Sequence, residues 1–164
     1  MAIALVAEKM RPLLAAYRRA WQAAGHRGEG EVMIAFHMFC DRDGERARAI
    51  AAPLLDAYLH SLVEAASDWL DGRTSRDYPG YDKIIAALRA ATAADLIQSG
   101  GAWVGSPDEI ADTIARLERE FGTFEHASLQ VNFNTLAYEP ALASMRLFAR
   151  EVMPRFAEGA AASP

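Results

Sequence analysis

Two segments of the chain have the hydrophobic pattern of β-strands. Residues 31–40 (EVMIAFHMFC) form a nearly continuous apolar run, which is typical of a parallel strand covered on both faces. Residues 128–134 alternate strictly between apolar and polar side chains. The apolar face carries Leu129, Val131 and Phe133, and the amide face carries Gln130, Asn132 and Asn134. A third, very short strand fits at residues 102–105.

Helical patterns surround these strands, and the clearest one covers residues 106–121. Ser106 is the predicted N-cap, Pro107 suits the first helical position, and Glu109 completes a capping box. Gly122 then supplies a left-handed stop. Further helices are predicted over about 6–24, 45–70 and 83–99, and from Glu139 to near Met153, where Pro154 ends or bends the helix.

The order of these elements predicts an α/β fold. Each of the three strands is followed by a helix, which implies parallel pairing with right-handed crossovers. Residues 71–82 are rich in turn formers and are expected to form a loop. We expect one domain over residues 1–164, with a helical insertion at 45–99 and a disordered, alanine-rich tail at 157–164.

Composition and charge exclude several classes of protein. The 164 residues are 52% hydrophobic with a formal net charge of −5, and no basic stripe could track a phosphate backbone, so nucleic acid is not an expected partner. No run approaches the roughly 18 apolar residues of a membrane span, and charges come too early for a secretion signal, so we expect a cytoplasmic protein. Cys40 is the only cysteine, which excludes an intramolecular disulfide and a cysteine-rich zinc site.

Several segments together resemble a known family. They are the YRRAW helix with Gly25-His26, AFHMF, VEAASDWL, DYPGYDK, WVGSPDEIAD, SLQVNFNTL and SMRLFAREVMPRF. In this order they resemble the C-terminal half of the bacterial luciferase-like flavin-dependent monooxygenases. The resemblance covers nearly the whole chain, from about Pro12 to Phe156.

The resemblance implies a (β/α)8 TIM barrel with a flavin, usually FMN, at the carboxyl ends of the strands. Because such a barrel needs roughly 250 residues, the chain would form only part of one. That part is about three parallel strands, at 31–40, 102–105 and 127–134, with the enlarged helical insertion 45–99. The implied activity is oxygenation of an organic substrate through a peroxyflavin, with a flavin reductase as a potential partner. FMN and a deazaflavin both remain open, as does whether Met1 is the natural start.

A partial barrel leaves sheet edges and one sheet face uncovered. A second copy, a separate chain with the N-terminal barrel half, or the insertion helices would have to cover them, and we rank a homodimer first. The alternative function is a non-catalytic remnant of the barrel that binds flavin, another ligand or a protein. A third reading is a piece of a longer gene product with no role of its own.

The candidate site residues lie near the carboxyl ends of the predicted strands. Gln130, Asn132 and Asn134 are expected to bind the flavin or substrate, or else to satisfy one another in a wet core. His37 is the candidate catalytic group, orienting a flavin peroxide or acting as acid or base; otherwise it is a core histidine. The other histidines, His26, His60 and His126, have no ligand-like spacing, so no metal is expected.

Other residues have a functional and a structural interpretation. Trp103 could stack on an aromatic ligand or close the core. Gly105 and Ser106 open a helix whose free N–H groups suit an anion, although a simple capping box is preferred. Arg146 and Arg150 are assigned to a solvated or interface helix face. Finally, three residues of the insertion could form a pocket lid or pack on the surface: Tyr78, Tyr81 and Asp82.

Overall fold

One parallel sheet organises the chain around a central strand. The computed structural model describes residues 2–3, 10–66, 81–122 and 124–157. In these residues the sheet has four strands, β1 (Ala2–Ile3), β2 (Met33–Cys40), β3 (Ala102–Gly105) and β4 (His126–Gln130). Each of the other three strands pairs with β2 in parallel. The three predicted strands are therefore confirmed as β2, β3 and β4.

The pairing register places the outer strands on the two edges of β2. Ile34 is paired with both Ala2 and Ala127. Similarly, His37 is paired with both Ala102 of β3 and Gln130 of β4. Since a residue bonds one partner on each edge, β4 lies along one edge of β2, and β1 and β3 follow one another along the other edge.

Seven helices occur among the described residues. They are α1 (Met10–Ala23), α2 (Gly44–Ala66), α3 (Tyr81–Ala90), α4 (Ala93–Ser99), α5 (Pro107–Phe121), α6 (Tyr138–Glu151) and α7 (Pro154–Ala157). The predicted capping box of α5 is confirmed, because Ser106 and Glu109 cap each other's backbone N–H groups. The predicted helix over 83–99 is two helices instead, because Thr92 forms a capping box that starts α4.

The sheet has two unlike faces, named here by the numbering of β2. The even face carries the even-numbered side chains of β2 and is buried against α1, α5 and α6. The odd face carries Met33, Ala35, His37 and Phe39. Its upper part, at Phe39, is covered by α2, α3 and α4 together with Phe133, whereas its lower part is open, with Met33 38% exposed.

One expectation about α1 needs correction, whereas the prediction for the C-terminal helix agrees with the structure. Helix α1 buries Met10 and Leu14, while Leu13 is 58% exposed and Tyr17 37% exposed. The apolar stripe of Leu13, Tyr17, Trp21 and Ala24 has the spacing that predicts the buried side of this helix, but it does not face the core. Both stripes have helical spacing, and the pattern alone did not distinguish them. Near Met153, where Pro154 was predicted to end or bend the C-terminal helix, α6 ends at Glu151 and Pro154 begins the short helix α7.

The end of β4 also differs from the prediction. The strand stops at Gln130 rather than Asn134. One reason lies on the edge of β2 that pairs with β4. The N–H of Cys40, which a longer β4 would need there, donates to the Ser144 hydroxyl of α6 at 2.7 Å. The predicted loop over 71–82 and tail over 157–164 lie largely outside the described residues, which resume at Tyr81 and end at Ala157.

Candidate functional site

His37 and Gln130 form the centre of the candidate site on the odd face. They are register partners on β2 and β4, and paired residues of parallel strands project their side chains from the same face. His37 lies within the last four residues of β2 and Gln130 is the last residue of β4. His37 is only 4% exposed, whereas Gln130 is exposed. A buried imidazole and an exposed amide are therefore neighbours at the carboxyl end of the sheet.

The imidazole of His37 is enclosed by two aromatic rings. Its ring centroid lies 4.9 Å from that of Tyr58 on α2 and 5.8 Å from that of Phe133, both in edge-on arrangements. Its Nε2 atom is buried and has no hydrogen-bond partner. Burial lowers the pKa of His37 below its usual 6.5, because a charged imidazole would lose its hydration. The site thus holds a neutral imidazole with one unused hydrogen-bonding atom.

The open lower part of the odd face carries one histidine, which lies beside a carboxylate. In the register, Met33 faces His126 and Ala35 faces Ser128. Both β4 residues are exposed, and His126 lies 3.5 Å from the Glu31 carboxylate. The odd-face positions of β2 and β4 include no lysine or arginine. Without a lysine or arginine, these positions do not favour the binding of a phosphate or carboxylate group.

The other two amides do not continue the row that Gln130 begins. Asn132 and Asn134 are exposed and follow the end of β4, so they are not strand residues. Asn134 has a φ of +52°, which is uncommon outside glycine. Of the three predicted amides, the structure brings only Gln130 into register with His37.

Trp103 lies on the opposite face of the sheet from His37. It is paired with Met38, so its side chain belongs to the even face. Its ring stacks on Phe36 with a centroid distance of 4.3 Å, and its buried indole N–H has no partner. Trp103 therefore closes the core between the sheet and the helices and is not placed with the candidate site.

Gly105 and Ser106 lie at an occupied helix start. The carboxylate of Glu109 accepts the Ser106 N–H at 2.7 Å and the Arg48 guanidinium at 3.0 Å. The hydrogen bond from the Ser106 N–H is the main cause that lowers the pKa of Glu109 below its usual value, and the side chains of Ser106 and Arg48 lower it further. Burial acts in the opposite direction but does not outweigh them. A Cβ on Gly105 would come within 2.7 Å of this carboxylate. The chain's own carboxylate thus takes the place that an external anion would need.

The remaining candidates are distributed over other parts of the molecule. Cys40 ends β2, and burial, with Glu151 and Asp41 nearby, raises the pKa of its thiol to about 12, so it is not a nucleophile at neutral pH. Arg146 and Arg150 are exposed on α6, and Arg150 contacts Glu151 at 3.2 Å. Three candidates of the insertion lie outside the residues or side chains that the structure describes: Tyr78, Tyr81 and Asp82.

Two kinds of feature are absent from the described residues, 2–3, 10–66, 81–122 and 124–157. In those ranges, no cluster of three or more His, Cys, Asp or Glu side chains is arranged to hold a metal ion. Among the described helices, none combines the length and apolar character that a membrane-spanning segment requires.

Sequence reasoning missed the two aromatic neighbours of His37. Tyr58 falls on a helical stripe with Leu54 and Leu62, which predicts only that it faces a core. Phe133 was assigned to the face of Leu129, the opposite side of the sheet from its actual position. No local signal marks either residue as a neighbour of His37, because the contacts come from the packing of distant segments.

Comparison with known proteins identifies the family. The model of the luciferase-like monooxygenase family matches residues 1–123, about three-quarters of the chain. The chain belongs to the luciferase-like monooxygenase family. The family resemblance and the partial-barrel fold predicted from the sequence are both confirmed. No curated protein is a significant match.

Solved structures of luciferase-like monooxygenases share the fold of the chain. Monooxygenase RslO1 from Streptomyces bottropensis is 24% identical, with a TM-score of 0.61 over 95% of this chain and 41% of its own. The oxygenating constituent of 3,6-diketocamphane monooxygenase from a Pseudomonas putida plasmid, solved with FMN, is 18% identical, with a TM-score of 0.63 over 91% of this chain and 40% of its own. Apo-MsnO8 is 18% identical, with a TM-score of 0.50 over 92% and 43%. The chain therefore spans about two-fifths of each of these structures.

Proposed function

We propose that the chain is the C-terminal part of a flavin-dependent monooxygenase that oxygenates an organic substrate. Family membership supports oxygenation, and the FMN in the diketocamphane monooxygenase structure supports FMN or a related flavin as cofactor. The observation that carries the proposal is the buried, unpartnered Nε2 of His37 beside the exposed amide of Gln130. A cytoplasmic location is part of the same proposal.

The residues of the odd face fit the uncharged ring system of a flavin or of an organic substrate. A planar heterocycle carries carbonyl oxygens and ring nitrogens, which need hydrogen-bond donors and acceptors in an otherwise apolar surface. A neutral imidazole supplies one donor and one acceptor, and an amide supplies both kinds. The edges of Tyr58 and Phe133 add apolar contact next to the imidazole.

The chain's residues would bind and orient the reactants. The chemistry that the bound, reduced flavin would contribute is its own reaction with O₂. The burial of His37 keeps its imidazole neutral, so that Nε2 can donate a hydrogen bond to the ligand or take a proton from it, depending on its tautomer. Gln130 would fix the ligand against the odd face of the sheet, and the aromatic rings around His37 would exclude water.

Completion of the barrel is part of the proposal. The described residues leave the second edge of β4 unpaired and the lower part of the odd face open. We rank a second copy of the chain first as the partner that covers them, and a chain carrying the N-terminal barrel half second. A flavin reductase is the expected supplier of reduced cofactor. The phosphate of the flavin would be bound outside the odd-face positions of β2 and β4, because these carry no lysine or arginine.

Native mass spectrometry of the purified chain with FMN tests this function directly. We expect a dimer that carries flavin, because one spectrum reports both the subunit number and the bound cofactor. Gln130→Ala should weaken FMN binding roughly two- to tenfold, the value of one neutral hydrogen bond. The matched control is Gln22→Ala, since Gln22 is exposed on α1, away from the site.

Two results would count against the proposal. A chain that stays free of FMN, alone or mixed with a candidate N-terminal barrel half, would contradict the enzyme and favour the non-catalytic remnant. Equal loss of FMN in the Gln130 and Gln22 variants would contradict the odd-face site. Substrate-dependent O₂ consumption with a flavin reductase then separates an oxygenase from a protein that only binds flavin.

A further inference from the structure

Phe133 lies on the opposite side of the sheet from the one its sequence pattern predicts. The pairing of His37 with Gln130, continued by three residues, would place Phe133 opposite Cys40 on the even face. Instead, the chain leaves the sheet after Gln130, and Phe133 packs among the odd-face residues with 1% of its surface exposed. Its ring and the imidazole of His37 are in edge-on contact, with centroids 5.8 Å apart.

The edge of β2 next to this segment has the main-chain groups that an extended β4 would need. Strand β2 extends three residues beyond His37, so it has the length to pair with residues 131–133 of a longer β4, and Asn134 would follow opposite Asp41. The edge of β2 that such a strand needs is held at Cys40 N by the hydroxyl of Ser144. A main-chain carbonyl of an extended β4 could accept this hydrogen bond in place of the hydroxyl, so the bond would be exchanged rather than lost.

The packed arrangement carries two local costs. Asn134 is held at a φ of +52°, and Nε2 of His37 is buried without a partner. Both costs would disappear in the extended arrangement, since strand residues have negative φ and His37 would be uncovered. Conflicts between local pattern and observed position are expected where a segment serves a function.

We propose that residues 131–136 form a gate over His37, and that the ring of Phe133 occupies the place of a ring-shaped, uncharged ligand. In the closed form Phe133 covers His37, as observed. In the open form β4 extends to Asn134, Phe133 moves to the even face, and the amides of Asn132 and Asn134 join Gln130 beside the ligand. The nature of the ligand rests on the proposed function, whereas the gate itself does not.

Chemical labelling of the histidines measures the gate without any activity assay. Diethyl pyrocarbonate acylates accessible neutral imidazoles, and peptide mass spectrometry reports each histidine separately. The exposed His26, His60 and His126 serve as internal references in every sample. In the wild-type chain we expect His37 to react more slowly than all three, because its Nε2 is covered.

Variants at Asn134 should shift the gate without disturbing the core. Asn134 is exposed, so its substitution leaves the packed residues intact. Asn134→Val puts a β-branched residue where φ is positive, which favours opening, and should raise the His37 rate about fivefold or more. Asn134→Gly is the matched control, because glycine tolerates positive φ and keeps the gate closed.

Variants at Phe133 provide an independent check. Phe133→Ala removes the cover itself and should raise the His37 rate at least as much. Phe124→Ala is its control, since Phe124 contacts Phe36 on the even face and should leave the His37 rate unchanged. The Asn134 pair decides the question if the Phe133 variant does not fold. Equal His37 rates in Asn134→Val and Asn134→Gly would overturn the gate.

Lumiflavin, an isoalloxazine ring without the phosphate chain, tests the ligand class. It should protect His37 from labelling, and should bind several-fold more tightly to Asn134→Val than to Asn134→Gly. Variants that change the labelling rate without any protection by lumiflavin would overturn the assigned ligand class and leave the gate standing. Failure of FMN binding in native mass spectrometry with the same labelling differences would count against the enzyme, not against the gate.

Discussion

Replacing His37 by phenylalanine should remove a specific loss of stability in mild acid. His37 is buried as the neutral form, and its pKa in the folded chain is lowered from 6.5 by burial. In the unfolded chain the imidazole regains an ordinary pKa. As the pH falls below about 6.5, the unfolded state therefore binds a proton that the folded state does not, and the free energy of unfolding decreases.

The size of the effect follows from this proton. Between pH 6.5 and the lower pKa of the folded chain, each pH unit costs about 1.4 kcal/mol of stability, the free energy of one pKa unit. Asp41 and Glu109 have pKa values lowered from 3.8 and 4.5, so their stabilising effect is lost only at more acidic pH. At neutral pH His37→Phe should be neutral or slightly stabilising, because an apolar ring replaces a buried polar group without a partner.

Urea unfolding at a fixed protein concentration, repeated from about pH 7.5 to about pH 5, measures this difference. The wild-type chain should lose stability along this range more steeply than His37→Phe, by up to about 1.4 kcal/mol per pH unit. His60→Phe is the control, because His60 is exposed on α2 and its variant should keep the wild-type slope. Parallel pH profiles for the wild type and His37→Phe would refute a buried neutral imidazole.

Three further substitutions or reactions test the surroundings of the site. Glu109→Ala removes the reciprocal cap with Ser106 and should lower the free energy of unfolding in urea by about 1–2 kcal/mol. The control is Asp112→Ala, which should change it little because Asp112 is exposed on the same helix. Ser144→Ala leaves the buried N–H of Cys40 without an acceptor and should cost about 1–3 kcal/mol in the same assay. The Cys40 thiol, with its pKa raised to about 12, should resist iodoacetamide in the folded chain at mildly alkaline pH and react in urea; rapid native alkylation would contradict its burial.

The elements that sequence reasoning located best are those with strong local signals. The capping box of Ser106 and Glu109 depends on residues three positions apart, so the sequence alone defines the start of α5. The continuous apolar run that became β2 is buried on both sides from Phe36 to Cys40, as parallel strands are. The split at Thr92 was missed, although its capping box with Asp95 uses the same local chemistry.

The errors occur where tertiary packing selects between equivalent local patterns. In α1 the stripe with Met10 and Leu14 and the stripe with Leu13 and Tyr17 have the same helical spacing, and only contact with α5 and the sheet selects the first. In the candidate site, His37 was identified from its position near the end of a strand. Its aromatic neighbour Tyr58 comes from a helix 21 residues away in sequence, a distance that periodicity does not cover.

The position of Phe133 links the fold to the proposed function. A sequence that alternates through Asn134 is suited to a strand whose amide face lines a pocket, which is the arrangement expected of a completed barrel. In the single chain, the edge of β2 beyond His37 is held by Ser144, and Phe133 fills the space over the imidazole. Residues 131–136 thus have a role in both forms of the gate. In the closed form Phe133 covers an apolar surface that would otherwise be exposed without a ligand, and in the open form the amides line the pocket. A completing chain that pairs with the free edge of β4 would favour the extended strand, and so would couple completion of the barrel to the opening of its site.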